Sequence, residues 1–221
     1  MRAALLGALA LAALDGQAQA EPVARLRAYV LECSQATLAE VPAIVAGADA
    51  LLRQGCQLGL SLSAALELKG GCGLPSDQAG RRKALQELLA PLKAGHPEDL
   101  ALLVVPTGFE ARYSWAVIDI SRFAGCSSPK DPRWLHRFGA LFLTDFGLAT
   151  AVQLDASRPG GASQPFASLL LAHEVMHALT HRPHPTRLPT GNLMADTLGA
   201  MGPALTPDWC ACAKRSPYLR P

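Results

Sequence analysis

The spacing of hydrophobic positions changes from segment to segment along the chain, and each spacing predicts an element. Apolar residues at helical spacing from Thr37 to Gln54 predict a long buried helix, and alternation over residues 56–68 predicts a strand with one buried face. Gly80 to Ala94 is typical of a surface helix. Shorter apolar runs predict strands at Val23–Leu31, Leu100–Val105, Trp115–Ile120, Phe138–Thr144 and Ala149–Leu154, before an apolar helix that begins near Pro165.

The order of these elements predicts an α+β fold with a mixed, twisted sheet. A strand, a long early helix and a further strand lead, more strands follow, and an apolar helix comes late. Thr206 is a good N-cap and Pro207 suits a first helical turn, so a C-terminal helix is also predicted. Residues 21–221 are expected to form one domain, because about 200 residues suit a single core.

Residues 1–20 have the pattern of a signal peptide. Arg2 precedes an apolar run over residues 3–14, and Ala18-Gln19-Ala20 is a small-residue cleavage site. The run is shorter than the roughly 20 residues that span a bilayer, so no stable membrane insertion is expected. We expect cleavage after Ala20 and a secreted or periplasmic protein.

Six cysteines follow this segment: Cys33, Cys56, Cys72, Cys126, Cys210 and Cys212. An exported chain meets an oxidising compartment, so up to three disulfides are expected. Only the Cys210–Cys212 pairing is disfavoured, because one intervening residue on a helix gives poor bridge geometry. The cysteines form no C-x-x-C pair, so their spacing does not indicate a cysteine zinc site. The net charge of +2 implies no nucleic-acid partner.

The late apolar helix contains His173-Glu174-Val175-Met176-His177. Histidines four residues apart lie about one helical turn apart on the same face, so one divalent ion can bind both. Glu174 lies beside them and is free to accept a proton from a water on that ion. The pattern predicts a zinc site with His173 and His177 as ligands and Glu174 as general base.

The third ligand must come from beyond this motif, and no glutamate follows Glu174. His181 would lie about 12 Å of helical rise from the first histidine, so one tetrahedral ion could not comfortably bind His173, His177 and His181 together. Pro183 forces a turn that can return His184 to the first two rings, so His184 is the preferred ligand. His181, Asp196 and Asp208 stay open as alternatives to it.

These residues resemble the metzincin-type zinc metallopeptidases, whose signature is H-E-x-x-H-x-x-G-x-x-H followed by a methionine-containing turn. His173, Glu174 and His177 match, and Gly191-Asn192-Leu193-Met194 looks like the Met-turn. The sequence departs from the signature after His177. Thr180 stands at the glycine position and Pro183 at the third histidine, so His184 matches with a one-residue insertion.

The resemblance implies a zincin-like fold, one catalytic Zn²⁺ and a protein or peptide substrate. The substrate would lie extended along an exposed sheet edge, for which Phe138–Thr144 is the preferred strand. The expected function is a secreted or periplasmic endopeptidase. One alternative is a catalytically silent, zinc-stabilised binding protein, and another is a zincin that uses Asp196 as its third ligand. Oligomeric state is left open.

Overall fold

The computed structural model describes residues 21–70, 72, 78–106, 114–116, 126, 140–157, 165–184 and 188–220. The predicted signal peptide at residues 1–20 lies outside them. In the described part of the chain, six strands form one sheet: β1 (Val23–Leu31), β2 (Gly59–Leu68), β3 (Leu100–Val105), β4 (Ser114–Ala116), β5 (Ala140–Thr144) and β6 (Leu219–Arg220).

The strand order is β2-β1-β3-β5-β4, and β6 pairs with the first residues of β1. Strands β2, β1, β3 and β5 are parallel, whereas β4 and β6 run antiparallel to their neighbours. All six residues of β3 are buried, as expected for a parallel strand covered on both faces. The predicted mixed sheet is therefore present.

Five α-helices accompany the sheet in the described residues: α1 (Val41–Cys56), α2 (Gln78–Gly95), α3 (Asp145–Ser157), α4 (Phe166–Thr180) and α5 (Pro207–Ala213). They include the predicted early helix, the late apolar helix and the C-terminal helix. Strands and helices alternate from β1 to β3, which makes the arrangement mixed α/β rather than a segregated α+β.

The alternating strand positions build two cores, one on each face of the sheet. Residues such as Leu26, Leu102 and Leu141 join α1, α4 and α5 in the larger core. Their neighbours along the strands, including Leu103 and Phe142, face α2 in a smaller core. The period-two pattern of the sequence thus places α4 on one defined face of the sheet.

The predicted strand at Ala149–Leu154 is wrong, because these residues belong to α3. The Thr144 hydroxyl accepts a hydrogen bond from the Gly147 N–H at 3.0 Å, which satisfies a free donor of the first turn. Apolar residues three apart, Leu148, Ala151 and Leu154, then pack on the larger core while Val152 is exposed. Helical spacing is present in this segment, but a short apolar run fits a strand as well.

Other boundaries also differ from those predicted. Helix α1 starts at Val41, with Pro42 in its first turn, rather than at Thr37, and it ends with Gln57 in the left-handed conformation at φ 56°. Cys56 therefore closes α1 instead of opening β2. Of the predicted strand Trp115–Ile120, the part beyond residue 116 lies outside the described residues.

Strand β5 pairs with β3 on one side and β4 on the other. The preference for Phe138–Thr144 as a substrate-binding edge is therefore wrong, because its described part, Ala140–Thr144, lies inside the sheet. Strand β4 is the edge on this side in the described residues, and it packs against α4.

All six cysteines form disulfides, in the pairs Cys33–Cys72, Cys56–Cys210 and Cys126–Cys212. The expected three bridges are confirmed, and the disfavoured Cys210–Cys212 pairing does not occur. Three disulfides fit an extracellular or periplasmic protein. None of the helices in the described ranges is long and apolar enough to cross a membrane.

Candidate metal centre

Helix α4 is buried along almost its whole length, so its polar residues lie inside the protein. His173 is 2% exposed, Glu174 3% and His177 6%. Burying three polar side chains in an apolar helix is costly unless each has partners. A cluster of this kind in a core helix is therefore a candidate functional site.

The chain turns back immediately after α4 and returns a third histidine to the first two. His181 adopts the left-handed conformation at φ 54°, and its N–H donates to the His177 carbonyl at 2.7 Å. Three residues later, the Nε2 atom of His184 lies 2.9 Å from the Nε2 atom of His173. The turn associated with Pro183 thus places His184 beside the helix.

The three imidazoles of His173, His177 and His184 point one nitrogen each toward a common position. The Nε2 atoms of His173 and His177 are 3.0 Å apart, and the ring centroids of the three histidines are separated by 4.6 to 4.9 Å. Ligands of a tetrahedral zinc ion with bonds near 2.0 Å lie about 3.3 Å from one another. The observed spacing is close to that value.

Two backbone carbonyls set the tautomers of the helical pair. The Nδ1–H of His173 donates to the Leu193 carbonyl at 2.7 Å, and the Nδ1–H of His177 donates to the Arg182 carbonyl. A carbonyl can only accept, so each neutral ring carries its proton on Nδ1 and a lone pair on Nε2. Two such lone pairs facing one another repel, unless a cation lies between them.

Protonation is an unfavourable way to relieve this repulsion. Burial lowers the pKa of His173 to about 4, against the opposing effect of its hydrogen bond to Leu193. Burial also lowers the pKa of His177 well below its usual value, and repulsion from His173 adds to this. The pKa of His184 is lowered by burial and partly restored by the Asp196 charge. Neutral imidazoles are the form that binds metals.

The segment Gly191–Asp196 forms a tight turn against the site. Gly191 has φ +88°, and the Asn192 side-chain oxygen accepts the Met194 N–H at 2.9 Å. A Cβ atom at Gly202 would lie 2.5 Å from the Gly191 carbonyl oxygen, so only glycine fits where the two chain segments meet. The turn is thereby held in place, and Leu193 and Met194 are fully buried.

The other candidate ligands lie apart from the three rings in the described residues. His181 is buried but does not join the group of converging nitrogen atoms. Asp196 is exposed and acts on His184 only through its charge. Asp208 forms an ion pair with Arg182. The geometry therefore brings together His173, His177 and His184, as preferred from the sequence.

A second group with metal-ligating atoms, His96, Glu98 and Asp99, has a different character. The Asp99 carboxylate is buried and forms ion pairs with Arg25 at 3.3 Å and Arg27 at 3.4 Å. Two guanidinium groups already neutralise this carboxylate, and they would repel a divalent cation. This group belongs to the packing of the sheet.

Sequence reasoning missed the groups that orient the histidines. The carbonyls of Leu193 and Arg182 carry no signal, because every residue has a carbonyl and only the fold selects which one faces a ring. Trp209 was also missed, although its ring lies 6.1 Å from that of His177 in an edge contact. Its position next to the α5 cysteines was the only available hint.

Neither a protein-family model nor a curated protein matches this sequence. Solved structures do resemble it. Metalloproteinase-II from Bacteroides fragilis matches with a TM-score of 0.54 and 12% sequence identity, over 90% of this chain and 54% of that chain. A chaperone-substrate complex matches with a TM-score of 0.52 and 9% identity, over 91% of this chain and 36% of the other.

A zinc-dependent peptidase from Methanocorpusculum labreanum aligns over 85% of this chain and 99% of its own, with 12% identity and a TM-score of 0.49. This chain spans about half the length of the Bacteroides structure. At such low identity the likeness concerns the fold alone. The described chain thus has an α/β fold like that of the Bacteroides structure, with a group of three histidines that could hold a metal ion.

Proposed function

We propose that this protein is a secreted or periplasmic zinc-dependent endopeptidase of the HExxH type. His173, His177 and His184 hold one zinc ion, and Glu174 is the general base. The observation that carries the proposal is the convergence of three imidazole nitrogens inside a zincin-like fold. The likeness to a metalloproteinase and the three disulfides support it.

The donor set suits zinc. Three neutral imidazoles are common ligands of this ion, and a site with three protein ligands leaves a position for water or substrate. The Nδ1 hydrogen bonds from His173 and His177 to backbone carbonyls are the usual arrangement behind zinc-binding histidines, because they fix each ring and raise its basicity.

The chemistry divides between the ion and the chain. Zinc, when bound, supplies Lewis acidity that lowers the pKa of a bound water toward about 7 and polarises a carbonyl. Glu174 accepts a proton from the attacking water as the new C–O bond forms. It then delivers this proton to the amine nitrogen as the C–N bond breaks. Its burial beside His173 suits this role, since the helix holds it next to the site.

A substrate peptide has a suitable partner in β4. Among the described strands, Ser114–Ala116 has one hydrogen-bonded neighbour, β5, and the strand packs against α4. An extended peptide adding to this edge would lie next to the helix that carries the histidines. We assign substrate binding to this edge in place of the strand preferred from the sequence.

The resemblance to metzincins is part of this proposal. Met194 is fully buried in the tight turn whose Leu193 carbonyl holds His173. We assign it to an apolar floor beneath the metal, as the Met-turn of that family implies. The histidine pattern after His177 departs from the family signature, so the subtype rests on this turn and on His184.

The deciding experiment combines metal analysis with digestion of a peptide library. We expect the wild-type protein to hold about one zinc per chain and to cleave internal peptide bonds. Glu174→Gln should keep the zinc and lose at least about 10² to 10⁴-fold in kcat, the usual contribution of a general base. Glu87→Gln, an exposed residue on α2, is the matched control.

Two outcomes would contradict the proposal. If Glu174→Gln cleaved peptides as fast as the wild type, Glu174 would not be the base. If the wild-type protein held zinc and cleaved no peptide or protein, the alternative of a zinc-stabilised binding protein would be favoured instead.

A further inference from the structure

Trp209 lies against one of the three histidines of the metal centre. Its ring belongs to α5, is 5% exposed, and meets the His177 ring at a centroid distance of 6.1 Å and an angle of 77°. An edge contact of this kind restricts rotation of the imidazole. His177 is therefore held from the side by a large aromatic group.

The same tryptophan ring also supports the residue that holds His177 from behind. The Arg182 carbonyl accepts the Nδ1–H of His177, and the Arg182 guanidinium lies over the Trp209 ring, with Cζ 5.7 Å from the centroid. Asp208 completes this arrangement through an ion pair with Arg182. One ring thus contacts both the imidazole and the side chain of its hydrogen-bond partner.

We propose that Trp209 is a positioning residue of the metal centre, which fixes the His177 ring directly and, through Arg182, the carbonyl that orients it. The inference rests on the proposed function only in taking His177 as a metal ligand. Trp209 does not touch the reacting atoms. Its role is to restrict rotation of the His177 ring before zinc binds, so that less conformational entropy is lost on binding.

The position of Arg182 shows why such support is needed. Helix α4 ends at Thr180, so Arg182 lies in the turn beyond the helix, where no helical hydrogen bond holds its carbonyl. The same turn carries His184 two residues later. Anchoring the Arg182 side chain on Trp209 therefore steadies the path to a second ligand as well.

Helix α5 can support this turn because it is itself cross-linked. It has seven residues, and an isolated helix of that length is not stable in water. Disulfides Cys56–Cys210 and Cys126–Cys212 attach it to α1 and to a second segment of the chain. Trp209 lies beside Cys210 and is held in place by these bridges.

The first test measures zinc affinity in Trp209→Leu and Trp209→Phe by competition with a chromophoric chelator. Trp209→Leu removes the ring, and we expect zinc binding about 10 to 100-fold weaker, as for other groups that hold metal ligands. Trp209→Phe keeps an aromatic ring and should stay within a few-fold of the wild type. The visible spectrum of the Co²⁺-loaded protein should change in Trp209→Leu alone.

Tyr218→Leu is the matched control, because Tyr218 is a buried aromatic of the same core whose ring contacts Lys93. This variant should lower the melting temperature and leave the zinc affinity of the folded protein unchanged. If Trp209→Leu lowered only the melting temperature, as Tyr218→Leu does, the positioning role would be refuted.

Arg182→Ala keeps the inference testable if Trp209→Leu does not fold. It preserves the backbone carbonyl and removes a side chain that is 23% exposed. In the metal-free protein, nitrogen-15 NMR should show a single Nδ1–H tautomer for His177 in the wild type and a mixture in Arg182→Ala. A wild-type tautomer and zinc affinity in this variant would overturn the inference.

These measurements need no turnover, so they separate this inference from the proposed function. A protein that binds zinc and cleaves nothing would refute the endopeptidase and still allow the Trp209 test. Conversely, if the protein were an active peptidase and its zinc affinity did not change in Trp209→Leu and Arg182→Ala, only the positioning role would be refuted.

Discussion

His184 is the residue whose role the sequence left most open. It is exposed, yet its Nε2 atom lies 2.9 Å from that of His173, while the exposed Asp196 influences it only through charge. We expect His184→Ala to lose zinc to a chelator that the wild type resists. Asp196→Ala should keep its zinc within a few-fold of the wild-type affinity. The opposite ranking would favour the Asp196-ligand alternative.

Acid should weaken the metal-free protein through the buried histidines. The pKa of His173 is lowered from 6.5, its usual value in an unfolded chain, to about 4 in the folded protein. Between these two pH values the unfolded chain binds a proton at this residue and the folded chain does not. The free energy of unfolding therefore has its full value above pH 6.5 and decreases as the pH drops toward 4. At pH 5 the loss from His173 is about 2 kcal/mol.

Chemical unfolding of EDTA-treated protein at pH 7 and pH 5 measures this loss. His173→Gln, which cannot titrate, is the control and should show a smaller pH dependence. An equal dependence in both proteins would show that other groups cause the acid sensitivity.

Single residues also show where sequence reasoning stops. His173 and His177 were predictable, because a four-residue spacing on a helix fixes their relation locally. His184 could be ranked first only because Pro183 forces a turn. The Leu193 and Arg182 carbonyls and the Trp209 ring were not predictable, since they reach the site from 5 to 32 residues away by folding.

Among the elements, α1 and α4 are in close contact at Gly47. A Cβ atom added there would lie 2.1 Å from the Ser168 hydroxyl oxygen and 2.7 Å from its Cβ, inside the packed core. Gly47→Ala should therefore destabilise the protein by about 1 to 3 kcal/mol, the usual cost of overpacking. Denaturant unfolding measures it, with Gly95→Ala as the control because its Cβ would meet open space.

The disulfides of α5 should act on the metal centre as well as on stability. Replacing Cys56 and Cys210 by serine should cost about 2 to 5 kcal/mol and weaken zinc binding, since α5 carries Trp209. The Cys33 and Cys72 pair joins the segments that follow β1 and β2. Its double serine variant should lose stability and keep zinc affinity. If the two double serine variants had equal zinc affinities, the Cys56–Cys210 disulfide of α5 would have no effect on the metal centre.

Element types were predicted well where a period ran over many residues, as in α1, α2 and α4. The short segment Ala149–Leu154 failed, because six residues fit two periods and the decision came from Thr144 capping the helix. The sheet edge failed for another reason. Strand order depends on which strands pair, and no local pattern states that β4 lies outside β5.

At the scale of the whole molecule, we expect bound zinc to stabilise the folded state. An ion that binds only the folded state adds about 4 kcal/mol when its free concentration is a thousand times Kd. For about 200 residues this raises the melting temperature by roughly 10 °C. We expect EDTA to lower the melting temperature and added zinc to restore it, whereas His177→Ala should not respond. A wild-type protein indifferent to EDTA would contradict the metal centre.

The sequence alone determined the late buried helix, its pair of histidines one turn apart, the adjacent glutamate and the cysteines for three disulfides. These features follow from short-range geometry and composition. Only the tertiary structure decided that a third imidazole lies beside the first two and which carbonyls accept hydrogen bonds from the rings. It also decided which strand forms the sheet edge and that α5 packs against the site. Such contacts join residues far apart in the chain, and their free energy depends on packing that no local pattern encodes.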